Sequence, residues 1–320
     1  MQTTSLYGPV LEGLERVKDN LAGMVQARTP LMERLLAHVL DTPGKAIRPA
    51  ITLLASGFHP NDGSKAVVMA TAVELLHIAS LIHDDTVDNS DIRRGKATVS
   101  RLWGPRVAVL LGDYLFASSA IWVCDTGNIR VIRRFSQTIM ELASGELGET
   151  ESAYDWRQGR QRYFERIYNK TASLFTTAGE SGAVLSGAPE ETVQALKSYG
   201  YNLGMAFQIV DDILDFDGRR EEVGKPVGSD LAQGTITLPA IVALEMFPQD
   251  NPVERFCTHR REEDLRQAVA VVQRTEVLET AHAVAEGYCR KALQALEDLP
   301  RNDHRRALED VVHYVLTRRH

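Results

Sequence analysis

Residues Val73–Thr98 read VELLHIASLIHDDTVDNSDIRRGKAT, and the fold follows from how this stretch is decoded. Its apolar residues recur at helical spacing, yet one stripe carries His77, Ser80, Asp84 and Asp88. At about 100° per residue, His77, Ser80 and Asp88 all fall within roughly 40° of Asp84. An otherwise apolar helix thus bears one polar face. A second stretch, Leu203–Phe216 (LGMAFQIVDDILDF), repeats the device with Gln208, Asp211, Asp212 and Asp215 at i, i+3, i+4 and i+7.

The ordinary meaning of a polar stripe is contact with solvent. Composition argues otherwise here. A solvated face mixes Lys with Glu, whereas Asp84 with Asp88 and Asp211 with Asp215 are like-charged i,i+4 pairs. Each such pair costs about 0.2–0.5 kcal/mol, and Asp is a mediocre helix former as well. A cation offsets that cost. Hard oxygen donors in this number suit Mg²⁺, which keeps several waters and shares its shell between a few carboxylates and substrate phosphates. The pattern points to two facing Asp clusters that grip a diphosphate through metal.

The bulk of the chain agrees. Its 320 residues, 44% of them hydrophobic, suffice for a large core, and no Gly/Ser/Pro linker divides them, so residues 1–320 are expected to form a single domain. A net charge of −7 speaks against nucleic acid as a partner. Cys124, Cys257 and Cys289 are far apart and lack metal spacing, which fits a reduced, cytoplasmic setting. No signal peptide is apparent. The longest apolar run, Val107–Val123, is interrupted by Asp113 and short for a membrane span. It reads as a buried helix, with Asp113 a buried, hydrogen-bonded polar group.

Along the chain, Thr29-Pro30 marks a helix start. Lys45 and Arg48 fall on a loop or helix entry between Pro43-Gly44 and Pro49, where Pro49 biases Arg48 away from helix. Such a Lys and Arg can clamp an anion or simply be solvated. Arg93 and Arg94 follow Asp88 closely enough to end near the metal site, or to complement a helix C-terminus. Gly145-Glu146-Leu147-Gly148 either closes a helix or lines a cavity. Lys170 lies among small and apolar residues, where an unpaired ammonium is expensive. The breaker-rich stretch Gly224–Pro239, with Lys225 and Asp230, reads as a binding loop, and Phe247–Asp264 as a charged surface connection. No strand-like alternation of useful length appears. The fold is expected to be all-α.

In this order, Lys45/Arg48, Asp84-Asp85-x-x-Asp88, Arg93/Arg94, Lys170-Thr171, Phe207-Gln208-x-x-Asp211-Asp212-x-x-Asp215 and Lys225/Asp230 make the sequence resemble the trans-isoprenyl diphosphate synthases. The likeness runs from about Gly44 to Pro239. It implies an isoprenoid synthase fold, a bundle of about a dozen helices around a deep central cavity, usually homodimeric, that elongates an allylic prenyl diphosphate with isopentenyl diphosphate. By the same likeness Asp84, Asp88, Asp211 and Asp215 hold Mg²⁺, three ions with bound diphosphate and Mn²⁺ as a substitute, supported by Asp85 and Asp212. Lys170, Lys225 and Arg93 would neutralise the leaving group. Lys45, Arg48, His77 and Arg94 would hold isopentenyl diphosphate, and Thr171, Phe207 and Gln208 would line the reacting centre.

Small residues at Ala79 and Ser80, just before the first Asp motif, resemble the long-chain polyprenyl synthases that make quinone tails, whose product release is expected to need membrane or detergent. The shorter alternatives are geranylgeranyl or farnesyl diphosphate. A class I terpene cyclase would leave Lys45, Arg48 and Arg94 without purpose, and a heteromeric-synthase subunit is disfavoured by intact Asp clusters. One departure is Thr235, where several synthases carry a Lys.

Overall fold

In a computed structural model the chain is described over residues 6–25, 29–40, 44–216 and 227–318, and it is almost wholly helical, as expected. Among the described residues the sole β-structure is a two-residue hairpin, β1 (Ile92–Arg93) against β2 (Lys96–Ala97). In chain order the helices are α1 (Leu11–Gly23), α2 (Pro30–Leu40), α3 (Ile47–Ser56), α4 (Ser64–Val87), α5 (Val99–Trp103), α6 (Pro105–Asp125), α7 (Ile129–Glu151) and α8 (Arg160–Ile167). A π-helical turn (Tyr168–Ala172) leads into α9 (Ser173–Leu185) and α10 (Glu190–Leu214). Beyond them come α11 (Ser229–Ala232), α12 (Leu238–Met246), α13 (Pro252–His259), α14 (Glu262–Val272), α15 (Thr275–Gln294) and α16 (Asp303–Thr317).

Contacts group the chain into two compact units, each built from three segments. The first comprises Met1–Gln137, Thr177–Lys197 and Leu299–Leu308; the second comprises Thr138–Thr176, Ser198–Asp298 and Glu309–His320.

In the first unit α4 is the spine. It packs along most of its length against α6, and also against α3 and α1. Met69, Val73, Leu75, Leu76 and Ala79 are fully buried on it, and each buried Leu contributes about 1.5–3 kcal/mol relative to exposure. Thr29 marks the start of α2 as expected, its Oγ1 accepting from the Met32 N–H at 3.3 Å. Arg48 lies within α3, contrary to the bias expected from Pro49. The proline occupies the first turn, where its missing N–H is not needed.

Helix α6 also departs from expectation. One side is buried through Leu111, Leu115 and Val123, but Leu110, Tyr114 and Ile121 form an outward apolar stripe, with Leu110 60% and Ile121 64% exposed. Asp113 is exposed as well, 3.5 Å from His83 Nε2. By length and composition α4 and α6 could each cross a membrane; α4 is mostly buried, whereas only a third of α6's most apolar window is.

In the second unit α12 packs on α15, and α13 on α14. The stretch expected to be a surface connection contains α13, with Val253, Phe256 and Cys257 buried. Asn251 caps it by accepting from the Val253 N–H at 2.8 Å. Eight residues are too few to show a convincing period.

Candidate active site

The first unit carries two distinct charged environments on α4. Asp84 is half-buried one turn before the exposed Asp88, and the Asp88 N–H donates to the Asp84 carbonyl at 2.8 Å as the helix ends. Asp85 points elsewhere. It is buried and accepts a 2.6 Å charge-assisted bond from Arg93 Nε. The hairpin makes this return possible: Arg94 and Gly95 have φ of 50° and 76°, the paired left-handed conformations of a two-residue type I′ turn. Thr98 anchors its far end, donating from Oγ1 to Ser90 O at 2.7 Å.

Arg94 belongs to the second environment. A Cβ on Gly44 would lie 2.9 Å from Arg94 Nη1 and 3.7 Å from Glu74 Oε1, so these two side chains crowd the glycine. Next to it, the Lys45 carbonyl accepts from the buried Tyr7 hydroxyl at 3.0 Å. Arg48 Nη1 donates to His77 Nε2 at 3.2 Å, which makes Nδ1 the protonated nitrogen of a neutral imidazole. Burial, then the charges of Arg48, Arg94 and Arg93, hold His77 well below its ordinary pKa. Burial pushes Glu74 up, opposed by Arg48 and Arg94. A place that keeps histidine unprotonated among guanidiniums is built for an anion.

The second unit presents Asp211 half-buried and Asp212 and Asp215 buried on or just beyond α10. Asp212 receives 2.6 Å and 2.7 Å hydrogen bonds from Tyr163 Oη and Gln208 Nε2. Burial raises its carboxyl to about 7, the two hydrogen bonds opposing the rise. Tyr163 is itself pushed well above its ordinary range, mainly by burial, so the phenol remains the donor. Asp215 accepts from Ser229 Oγ at 2.8 Å and from the Asp230 N–H at 3.1 Å, securing the start of α11. Burial, then Asp215, Asp212, Asp211 and Glu149, push the Asp230 carboxyl well up.

Lys170 and Thr171 lie in the π-helical turn, an irregularity common at functional sites. Lys170 Nζ is 2.6 Å from Glu149 Oε1 and 3.2 Å from Glu146 Oε2, both on α7, which runs through Gly145 and Gly148 to Glu151 rather than closing there. The pairing answers the cost of burying that ammonium. Thr171 Oγ1 donates to Gln208 Oε1 at 2.6 Å. Phe207 packs on Phe175, ring centroids 5.2 Å apart, and beneath the Arg318 guanidinium, 3.8 Å from its ring centroid. Arg318 Nη2 also donates to Phe207 O at 2.6 Å and lies 3.6 Å from Asp211 Oδ1. The Thr235 N–H donates to Asp230 O at 2.9 Å. Lys225 lies outside the described residues.

Glu74, Glu149, Tyr163 and Arg318 are further candidates that the sequence reading missed, whereas Glu146 lies in the Gly145–Gly148 stretch it singled out as closing a helix or lining a cavity. Glu74 is a lone acid in an apolar run, three residues before His77, and could have been flagged. Arg318 had no local signal, because only tertiary structure brings the chain's end to Asp211.

The donor set fits a hard divalent cation. All candidate ligands are carboxylates, and the repulsion among them, which after burial is what raises Asp230, is the excess charge such an ion relieves. Among the described residues no three His, Cys, Asp or Glu side chains converge on one point. An ion held by one or two carboxylates must fill its shell with water and substrate phosphate oxygens, the habit of Mg²⁺.

Comparison with known proteins shows the family. The family model described as polyprenyl synthetase matches residues 29–273. A prenyl transferase of Synechocystis sp. is 39% identical over the full length of both chains. Heptaprenyl diphosphate synthase component 2 of Geobacillus stearothermophilus is 36% identical, covering 98% of each chain. Among solved structures, a decaprenyl diphosphate synthase from Rhodobacter capsulatus superposes with a TM-score of 0.91 at 35% identity, again over 98% of each chain.

Proposed function

This chain belongs to the polyprenyl synthetase family, and we propose that it elongates an allylic prenyl diphosphate with isopentenyl diphosphate, head to tail, to a long-chain product. The observation that carries the reading is the pair of environments on α4. Asp84 and Asp88 offer carboxylates for metal, while Arg48, Arg94 and a neutral His77 form a separate anion cradle. A terpene cyclase ionises one diphosphate and needs no second cradle.

Arg48, Arg94 and Lys45 neutralise isopentenyl diphosphate, with His77 Nδ1–H as a further donor. Asp84 and Asp88 of the first unit, and Asp211 and Asp215 of the second, would be the residues to hold Mg²⁺ with bound diphosphate, three ions in all and replaceable by Mn²⁺. Bound Mg²⁺ supplies Lewis-acid stabilisation of the departing diphosphate. Lys170 and Lys225 add charge to the same group. Asp85 steadies Arg93 through Nε, leaving its Nη groups for the anion. As the C1–O bond breaks, the electron pair leaves with diphosphate, and the lone pairs of Gln208 and Thr171 face the allylic cation. The isopentenyl double bond attacks that carbon, and the proton lost in re-forming an alkene goes to the released diphosphate. Phe207 and the apolar wall exclude water, which would otherwise quench the cation.

The long product rests on the small side chains Ala79 and Ser80, and on relatives named for heptaprenyl and decaprenyl products. The free, buried Cys257 and Cys289 suit a cytoplasmic setting. The outward stripe of α6 supports a homodimer. A second reading follows from the relative named as component 2 of a synthase: the same stripe would then receive a different chain. Isopentenyl-dependent product from this chain alone decides for the first.

A further inference from the structure

Tyr163 is fully buried in α8, and its hydroxyl ends a chain of three short hydrogen bonds. Tyr163 Oη donates to Asp212 Oδ2 at 2.6 Å, Gln208 Nε2 donates to Asp212 Oδ1 at 2.7 Å, and Thr171 Oγ1 donates to Gln208 Oε1 at 2.6 Å. The chain has a direction. In its ionised form Asp212 only accepts, so Gln208 turns its NH₂ toward it and its carbonyl toward Thr171. Thr171 has one proton and spends it on that carbonyl. Donors therefore point toward Asp212, and the lone pairs of Gln208 Oε1 and Thr171 Oγ1 point away from it.

We propose that Tyr163 is a positioning residue for prenyl transfer: by satisfying one oxygen of the buried Asp212, it fixes the amide orientation of Gln208 and the lone-pair orientation of Thr171 that the allylic cation meets. Without the phenol, Asp212 Oδ2 is buried and unsatisfied, a costly state that rotation of the carboxyl relieves. Once Asp212 rotates, nothing enforces which end of the Gln208 amide meets Thr171. Tyr163 is fully buried, and its hydroxyl acts on the rest of the chain through Asp212. The inference rests on the elongation reading above, because it needs a cation beside Thr171 and Gln208.

Tyr163→Phe removes only the hydroxyl and keeps the ring, which packs edge-on against Phe164 at 5.4 Å between centroids and carries Arg166 at 5.7 Å. The loss of one charge-assisted hydrogen bond predicts a kcat lower by about tenfold, with the KM values of both diphosphates within about twofold of wild type. Asp212→Asn gives a second route to the same end. Its NH₂ facing Gln208 would reverse the amide, lowering kcat with the same KM split. In a Gln208→Leu background the relay beyond Asp212 is cut, so adding Tyr163→Phe should lower kcat by no more than about twofold.

An inert wild-type enzyme overturns the elongation reading and this inference together. With an active wild type, three results each overturn the inference alone: an unchanged kcat in Tyr163→Phe, a tenfold loss undiminished in the Gln208→Leu background, or a loss divided equally between kcat and KM with a lower melting temperature. Should Tyr163→Phe fail to fold, Asp212→Asn decides, and full activity there contradicts the inference.

Discussion

His77 shows how one side chain's state reports the charge around it. Burial and the guanidiniums of Arg48, Arg94 and Arg93 keep it neutral in the folded protein, whereas an unfolded histidine takes up a proton below about pH 6.5. The unfolded state then binds more protons, so His77 makes stability fall as pH drops through and below that value. Replacing it with Gln, which does not titrate, should reduce the loss of melting temperature between about pH 7.5 and about pH 5.5. Equal losses in the two proteins would show that His77 is not held neutral. Asp84, which the proposed function makes a metal ligand, is the complementary case, since it stands in a like-charged pair at a local cost. Asp84→Ala should lower kcat by about 10²–10³-fold or more while leaving the melting temperature unchanged or slightly higher, because one carboxylate of an i,i+4 like-charged pair is gone. Retained turnover would remove Asp84 from the metal.

At the scale of elements, the π-helical turn holding Lys170 and Thr171 is kept in place by a close approach of α7. A Cβ at Gly145 would stand 2.7 Å from the Lys170 backbone nitrogen and 3.1 Å from Asn169 Cβ, with no flexible side-chain end to give way. Gly145→Ala should shift the turn and lower kcat by about tenfold or more, although alanine is the better helix former; wild-type kinetics would mean that the turn's placement is not critical. Ala79, fully buried in α4, tests chain length. Ala79→Tyr should shorten the product seen by mass spectrometry, at a cost of about 1–3 kcal/mol from overpacking. An active variant with unchanged product length would move the stop elsewhere. Elements were legible in the sequence where chemistry broke the expected composition. Like-charged Asp residues on apolar helices cannot be mistaken for a solvated face, so α4 and α10 were identified with their polar stripes. The end of α4 at Val87 and the hairpin after it were less visible, because Arg94 accepts a left-handed conformation usually left to Gly, Asn or Asp. Asp113 lies elsewhere than expected for another reason: an exposed apolar helix face has the same composition as one buried in a core.

At the scale of the whole molecule, that exposed face of α6 carries a prediction of assembly. Ile121→Glu places a charge in the apolar stripe and should convert a dimer to monomer by light scattering, since a buried, unpaired carboxylate is costly; an unaltered mass would put the interface elsewhere. The all-helical architecture could be read from periodicity alone, but the grouping of the chain into two units, each of three segments, could not. Long-range packing leaves no local mark, and the same holds for Arg318, which lies 3.6 Å from Asp211 from the far end of the sequence. The proposed function asks this chain's charges to separate a carbon from its diphosphate and to hold a second diphosphate for attack. The most direct test is to give the purified chain farnesyl diphosphate, labelled isopentenyl diphosphate and Mg²⁺, and to measure labelled prenyl products by length. Elongation strictly dependent on Mg²⁺ and isopentenyl diphosphate, with products beyond the geranylgeranyl length, is the predicted result; no labelled product from the folded chain, or a cyclised product formed without isopentenyl diphosphate, would contradict it.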